Sequence, residues 1–187
     1  MRIIAGKARN LELNVPDGMG VRPTSGRGRK ALLDSLGDLT GAAVLDLFAG
    51  SGAFALECAS RGAGQVTMVE LSSAHGRVIR ENCAKVARTG VDAEISLIQG
   101  DALNVSLYRS VPADLIFADP PYADSGSFFK KLTSSSSFQE AFDGALLVWE
   151  IPDTPGARGD FLEHGFEDGA LRNLGGVWFF MGTVKRI

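Results

Sequence analysis

A chain of 187 residues, 45% hydrophobic and 22% charged, has the length of one domain and the make-up of an ordinary globular protein. No run approaches the ~18 apolar residues of a membrane-spanning helix, and the N-terminus lacks the apolar core of a signal peptide, so a cytoplasmic location is expected. The formal charge of −3 argues against a basic nucleic-acid binder, until its distribution is examined.

Residues 1–30 hold seven basic groups (Arg2, Lys7, Arg9, Arg22, Arg27, Arg29, Lys30) against Glu12 and Asp17, a net +5, whereas the remainder holds twelve basic and twenty acidic residues, a net −8. A cationic segment on an acidic body suits an arm that contacts phosphates, and equally a solvated basic helix start. Within it, Arg2–Ala5 and the alternating Leu11–Val15 flank residues 6–10 and predict a short β-hairpin, ended by Pro16-Asp17-Gly18. Arg22-Pro23-Thr24-Ser25 leads into a helix over 27–36, closed by Gly37.

Strand and helix signals then alternate. Strands are predicted over 43–48, 66–69, 95–98, 115–118 and 146–149. Helices are predicted over 53–61 and 74–88, with a short helical stretch after Asp101 and another helix near 157–164. Strands near 166–172 and 177–184 close the chain. The Ser134-Ser135-Ser136-Ser137 tract reads as a flexible loop. Apolar strands alternating with helices argue for an α/β, doubly wound sheet finished by a terminal β-pair. Cys58 and Cys83 lack ligand-like spacing and read as buried free thiols, and His75 and His164 are isolated, so no metal site is expected.

The candidate chemistry lies at the predicted strand ends, where open α/β sheets bind ligands. Asp46-Leu47-Phe48-Ala49-Gly50-Ser51-Gly52 joins the first strand to a helix, and its glycines allow a tight turn that brings backbone against a ligand. Gly50 to Ala55 also fits the dinucleotide pattern G-x-G-x-x-A, with Glu70 about twenty residues on to bind a ribose. Asp46 tilts the choice: a carboxylate there repels a pyrophosphate and favours the ammonium and sulfonium of S-adenosylmethionine. Gly100-Asp101 offers a carboxylate to an adenine amino group, or is ordinary turn chemistry. Asp119-Pro120-Pro121-Tyr122 follows the apolar Leu115–Ala118 and is stopped abruptly by its prolines. It presents a carboxylate, a rigid carbonyl and an aromatic face, which suit a planar amino group attached to a ring.

Asp/Asn-Pro-Pro-Tyr/Phe resembles the signature of methyltransferases acting on exocyclic amines of bases and on glutamine amides. The whole chain resembles the bacterial 16S rRNA guanine-N2 methyltransferase family, small-subunit methyltransferase D. The resemblance is carried by Arg2-Ile3-Ile4-Ala5-Gly6, Arg22-Pro23-Thr24, Arg27-Gly28-Arg29-Lys30-Ala31-Leu32, the Asp46–Gly52 loop and Asp119–Tyr122, in the family's order. It implies a Rossmann-like class I S-adenosylmethionine-dependent methyltransferase domain over 26–187 and a basic, RNA-contacting extension over 1–25. It also implies S-adenosylmethionine as cofactor and one guanine of 16S rRNA, free or in an assembling small ribosomal subunit, as target. By the same carry-over the cofactor falls to Asp46, Gly50, Gly52, Glu70, Leu71, Asp101 and Ala102. The guanine falls to Asp119, Pro120, Pro121 and Tyr122, and RNA phosphates to Lys7, Arg9, Arg22, Arg27 and Arg29. A monomer is expected.

The chain departs from the family's pattern at Gly26 and Gly28, at the hairpin tip Ala8-Arg9-Asn10, and at Leu174-Gly175-Gly176-Val177, where the family tends to Tyr-Gly-x-Thr. Three rivals stand beside this reading. They are a DNA adenine-N6 methyltransferase, a protein glutamine methyltransferase (in which Asn usually replaces Asp119), and an inactive cofactor- or RNA-binding module.

Overall fold

The computed structural model describes residues 1–16, 26–153, 161 and 166–186. Five parallel strands form most of a seven-stranded sheet: β1 (Ala43–Leu47), β2 (Gln65–Glu70), β3 (Glu94–Gln99), β4 (Leu115–Ala118) and β5 (Leu146–Ile151). The terminal pair, β6 (Phe166–Leu174) and β7 (Val177–Val184), joins antiparallel beyond β5, giving the order β3-β2-β1-β4-β5-β7-β6. The order reverses between β1 and β4, the switch point at which such sheets open a crevice.

Helices cover both faces, which is why β1, β2, β4 and β5 are almost wholly buried and mainly apolar. One face packs Leu32 and Leu33 of α1 (Gly26–Leu36), Phe54, Ala55 and Cys58 of α2 (Ala53–Ser60), and Ile79 of α3 (Ser73–Ala87) against Val44, Val66, Met68, Phe117 and Val148. The other packs Phe129 and Leu132 of α4 (Ser125–Thr133), Phe138 of α5 (Ser136–Ala141) and Tyr108 against Leu45, Leu47, Ile116, Leu147 and Trp149. The α/β doubly wound expectation holds, terminal pair included.

Three expectations are corrected or refined. The serine tract is not a loop: Ser135 caps α5 by accepting the Phe138 N–H, and Ser136 and Ser137 form its first turn. Serine is a preferred N-cap because its hydroxyl satisfies an orphan N–H. The N-terminal hairpin forms, but as the single bridge Arg2–Glu12 with a few flanking bonds. Left-handed Gly6 (φ 79°) and Asn10 (φ 69°) bend the chain out of the ladder, and the N–H groups of Ile4 and Ala5 turn to Glu57 on α2 instead. Helix α1 forms across Gly26 and Gly28, carried by Leu32 and Leu33 in the core. The helix expected near 157–164, with His164, lies almost wholly outside the described residues.

Candidate functional site

The parallel register brings the carboxyl ends of β3, β2, β1, β4 and β5 level. Glu70 pairs with Gln99, Leu47 with both Val69 and Ala118, and Ala118 with Trp149. Asp101, Glu70, the Gly50 loop, Asp119 and Glu150 therefore follow one another along one edge of the sheet.

Chain geometry at the tip of β1 is unusual. Phe48 leaves the strand with φ 63°, a left-handed conformation that is uncommon outside glycine, and Gly50 (58°) and Gly52 (75°) complete the turn into α2. A Cβ on Gly52 would lie 2.8 Å from Met68 Sδ, so both φ and space require glycine there. The Phe48 ring stacks on Phe128 at 5.8 Å and meets Trp149 edge-on at 6.0 Å, contacts that help hold the strained residue.

Asp46 is 2% exposed and accepts the Ala55 N–H at 3.3 Å from the first turn of α2. Burial, with the Glu70 charge adding to it and the Ala55 bond opposing it, lifts its carboxyl to about 8. Glu70 is also buried. Its Oε2 accepts the Gly50 N–H at 2.8 Å and its Oε1 the Ser72 N–H at 2.8 Å, with His75 Nδ1 at 3.3 Å. Glu70 thus ties the glycine loop to the start of α3, and a carboxylate with about four acceptor sites keeps capacity for a further donor. Leu71 projects into solvent at 71% exposure beside it. Asp101 is exposed, but its Oδ1 accepts the Leu103 N–H at 2.9 Å, the turn chemistry its sequence allowed, and Ala102 is buried beneath.

At the tip of β4, Pro120 is buried and Asp119 and Tyr122 are half-buried, with a single helical turn over Tyr122–Asp124. The Tyr122 hydroxyl donates to Glu150 Oε1 at 3.1 Å.

Several residues escape sequence reasoning because only the fold brings them in. Gln99 donates from Nε2 to the carbonyls of Glu70 and Leu71 at 2.6 and 2.8 Å. Asn82, fully buried, donates to Ser51 O in the glycine loop at 2.9 Å and to Asn14 O at 3.0 Å, and accepts the Asn14 N–H at 2.8 Å. It fastens the N-terminal segment to the loop. His75, isolated in the sequence, stands against Glu70 in the fold.

The basic residues separate. Lys7, Arg9 and Arg27 are exposed, and Lys7 pairs with Asp92. Arg22 lies outside the described residues. Arg29 is corrected: at 3% exposure it is buried, its Nη2 donating to Arg2 O at 2.9 Å, so it braces the N-terminal segment instead of facing solvent. Burial lowers its guanidinium pKa. Cys58 is buried and Cys83 partly so, both free, and burial raises the Cys83 thiol to about 11. Among the described residues no cluster of three or more His, Cys, Asp or Glu side chains could hold a metal, and no helix is long and apolar enough to cross a membrane.

The strand order and the acidic glycine loop define a class I S-adenosylmethionine-dependent methyltransferase fold, and known structures agree. A hypothetical protein of Thermus thermophilus aligns at TM-score 0.70 and 30% identity over 98% of this chain and 99% of its own. An RNA methyltransferase from Salinibacter ruber, solved with S-adenosyl-L-homocysteine, shares the fold at TM-score 0.63 and 18% identity, over 89% of this chain and 95% of its own. The chain belongs to the family described as Conserved hypothetical protein 95, whose model matches residues 1–155. It is similar to ribosomal RNA small subunit methyltransferase D of Escherichia coli K12, with 34% identity over 123 residues, 65% of this chain and 60% of that protein. The Haemophilus influenzae protein of the same name is 32% identical over 65% of this chain and 64% of its own length. The chain thus spans about 60% of the length of the first curated relatives it matches, and the resemblance read from its motifs is borne out.

Proposed function

We propose that this protein transfers a methyl group from S-adenosylmethionine to the exocyclic N2 amine of a guanine in small-subunit ribosomal RNA. One observation carries the reading: Asp119-Pro120-Pro121-Tyr122 ends the strand that pairs directly with β1, whose own tip is the strained, acidic glycine loop. The names of the curated relatives support the choice of rRNA.

The residues fit the cofactor on two observations. Asp46 is a buried carboxyl raised to about 8, a site that a cationic ligand would relieve. The Gly50–Gly52 turn, tied down by Glu70, brings bare backbone to the tip of β1 beside that carboxyl. In this reading Asp46 faces the cationic end, Glu70 takes ribose hydroxyls, and Leu71, Asp101 and Ala102 border the adenine. When bound, the cofactor supplies an electrophilic methyl group on a sulfonium.

The chain's residues handle the amine. A guanine N2 lone pair is delocalised into the ring and is a poor nucleophile. Acceptors at the Asp119 carboxylate and the Pro120 carbonyl favour the developing sp³ character and partial positive charge at N2, while the prolines hold the backbone rigid and Tyr122 replaces a stacking neighbour of the flipped base. Residues 1–25 serve as the RNA-contacting extension on a catalytic domain over 26–187, with Lys7, Arg9, Arg22 and Arg27 toward phosphates.

Calorimetry with S-adenosylhomocysteine and with NAD tests the cofactor; binding of NAD alone would sink the reading. Tritiated methyl transfer to unmodified small ribosomal subunits, followed by nucleoside analysis, tests the rest, and N2-methylguanosine is the expected product.

A further inference from the structure

Strand β5 reads Leu146-Leu147-Val148-Trp149-Glu150-Ile151, an apolar run interrupted by one acid, and Glu150 is only 2% exposed. A carboxylate in such a place is costly unless it is bonded. Here Oε1 accepts the Tyr122 hydroxyl at 3.1 Å. The next residue back, Trp149, is anchored too, its Nε1 donating to Ser125 Oγ at 2.9 Å and its ring meeting Phe48 edge-on. Because Ala118 pairs with Trp149, Glu150 stands one residue further along the same register, beside the level at which Asp119 leaves β4. Two prolines fix the backbone before Tyr122, but they do not set its side-chain torsions. A bond at the far end of the phenol supplies that restraint.

We infer that Glu150 is a positioning residue that fixes where the Tyr122 ring projects, and through it the placement of the base stacked there. The inference rests on the methyl-transfer reading above. The tilt of the base decides where its N2 lone pair points. A tether on the ring therefore acts on the chemical step and leaves cofactor affinity alone. A misplacement of about 1 Å can cost about 10²-fold in rate, so partial loosening of the ring is expected to cost about tenfold or more.

The test uses the whole protein labelled with 3-fluorotyrosine. The chain has two tyrosines, and Tyr108 is buried with its hydroxyl donating to Ala102 O at 2.6 Å. Tyr122→Phe therefore assigns both fluorine resonances. In Glu150→Ala the Tyr122 resonance should move toward a motionally averaged position while that of Tyr108 stays. The kcat for methylation of small-subunit RNA should fall about tenfold or more with the affinity for S-adenosylhomocysteine unchanged. Glu150→Gln, which keeps an acceptor oxygen, should recover most of the rate. Tyr122→Phe should lose as much as Glu150→Ala, and the double variant no more than either.

An unmoved Tyr122 resonance, an unchanged kcat, or additive losses in the double variant overturns the inference. Should Glu150→Ala fail to fold, Tyr122→Phe removes the same bond from the other end, and full activity there overturns it equally. If the wild type methylates no RNA while the Tyr122 resonance still answers to Glu150, the methyl-transfer reading fails and only the tether stands.

Discussion

Asp46 illustrates how a single buried group couples proton binding to stability. Its carboxyl is raised from 3.8 to about 8, mainly by burial. The folded protein therefore holds a proton there that the unfolded chain releases above pH ~4. Its stabilising contribution is complete below the unfolded value and is lost as pH rises through about 8. A cationic ligand runs the other way, because it prefers the ionised form. Affinity for S-adenosylmethionine should climb with pH and level off above about 8. In Asp46→Asn that climb should vanish, as should the decline of unliganded melting temperature over the same window; parallel pH profiles in wild type and variant would remove Asp46 from the cofactor site. Asp119 carries a different expectation. Asp119→Ala should lower methyl transfer by about 10²–10³, by analogy with the loss of an oxyanion-hole donor, with cofactor affinity largely kept; near-full turnover would make Asp119 structural. What can be read at this scale is what is contiguous in sequence, such as the Asp46–Gly52 loop and the Asp119–Tyr122 tetrapeptide. Glu150, Asn82, Gln99 and the partnership of His75 with Glu70 arise from residues far apart in the chain or from ordinary side chains without a motif, and no local pattern marks them. Arg29 misleads because charge alone does not say which way a helix faces; Leu32 and Leu33 turn that side of α1 inward.

Elements are legible where periodicity is strong, and β4 and β7 have the bounds their apolar runs predict. The serine tract deceives because polarity suggests a loop, whereas Ser135 starts a helix whose Phe138 is fully buried. The N-terminal segment is the clearest case of tertiary contacts overriding a local pattern. Buried Glu57 accepts the N–H groups of Ile4 and Ala5 at 2.7 and 2.9 Å and also pairs with Arg61. Ser60 Oγ donates to Ala5 O at 2.6 Å and accepts the Ala8 N–H at 2.9 Å. Helix α2 thus takes the place of a partner strand, and a close approach at Gly6 makes this docking testable. A Cβ built there would lie 1.7 Å from the Ser60 carbonyl oxygen, on a backbone with φ 79°. Gly37 has nearly the same φ, 78°, with nothing within 4 Å of a built Cβ. Gly37→Ala should therefore show conformational strain alone, of the order of 1 kcal/mol. Gly6→Ala should lose clearly more, because backbone must move as well. Denaturant midpoints of the two variants decide the matter, and equal losses would mean that the segment is not held against α2.

At the scale of the molecule, the strand alternation predicts the doubly wound sheet, and placing β7 between β5 and β6 requires the fold itself, since nothing in the two strand patterns orders them. The same scale holds the charge asymmetry: a +5 segment of thirty residues on a body of −8. Its first sixteen residues are not a loose arm. They are fastened to α2 through Glu57 and Ser60 and to α3 through Asn82, so whatever Lys7 and Arg9 bind is presented in fixed relation to the glycine loop. Lys7 pairs with Asp92, but both side chains are well exposed, at 59% and 85%. Exposed pairs are typically worth about 0–1 kcal/mol, so exchanging Asp92 for a phosphate is inexpensive. Replacing Lys7 and Arg9 together by Ala should therefore weaken binding to small-subunit RNA and leave S-adenosylhomocysteine affinity unchanged, because neither residue takes part in the glycine-loop contacts. The slope of log affinity against log salt should flatten by about 0.7–0.9 for each phosphate that is no longer neutralised. Arg29→Ala is the informative contrast: with its guanidinium on Arg2 O, it should lower stability while its salt slope stays at the wild-type value. A salt series on the three proteins separates these outcomes, and an unchanged slope in the double variant would move RNA recognition to another face of the molecule.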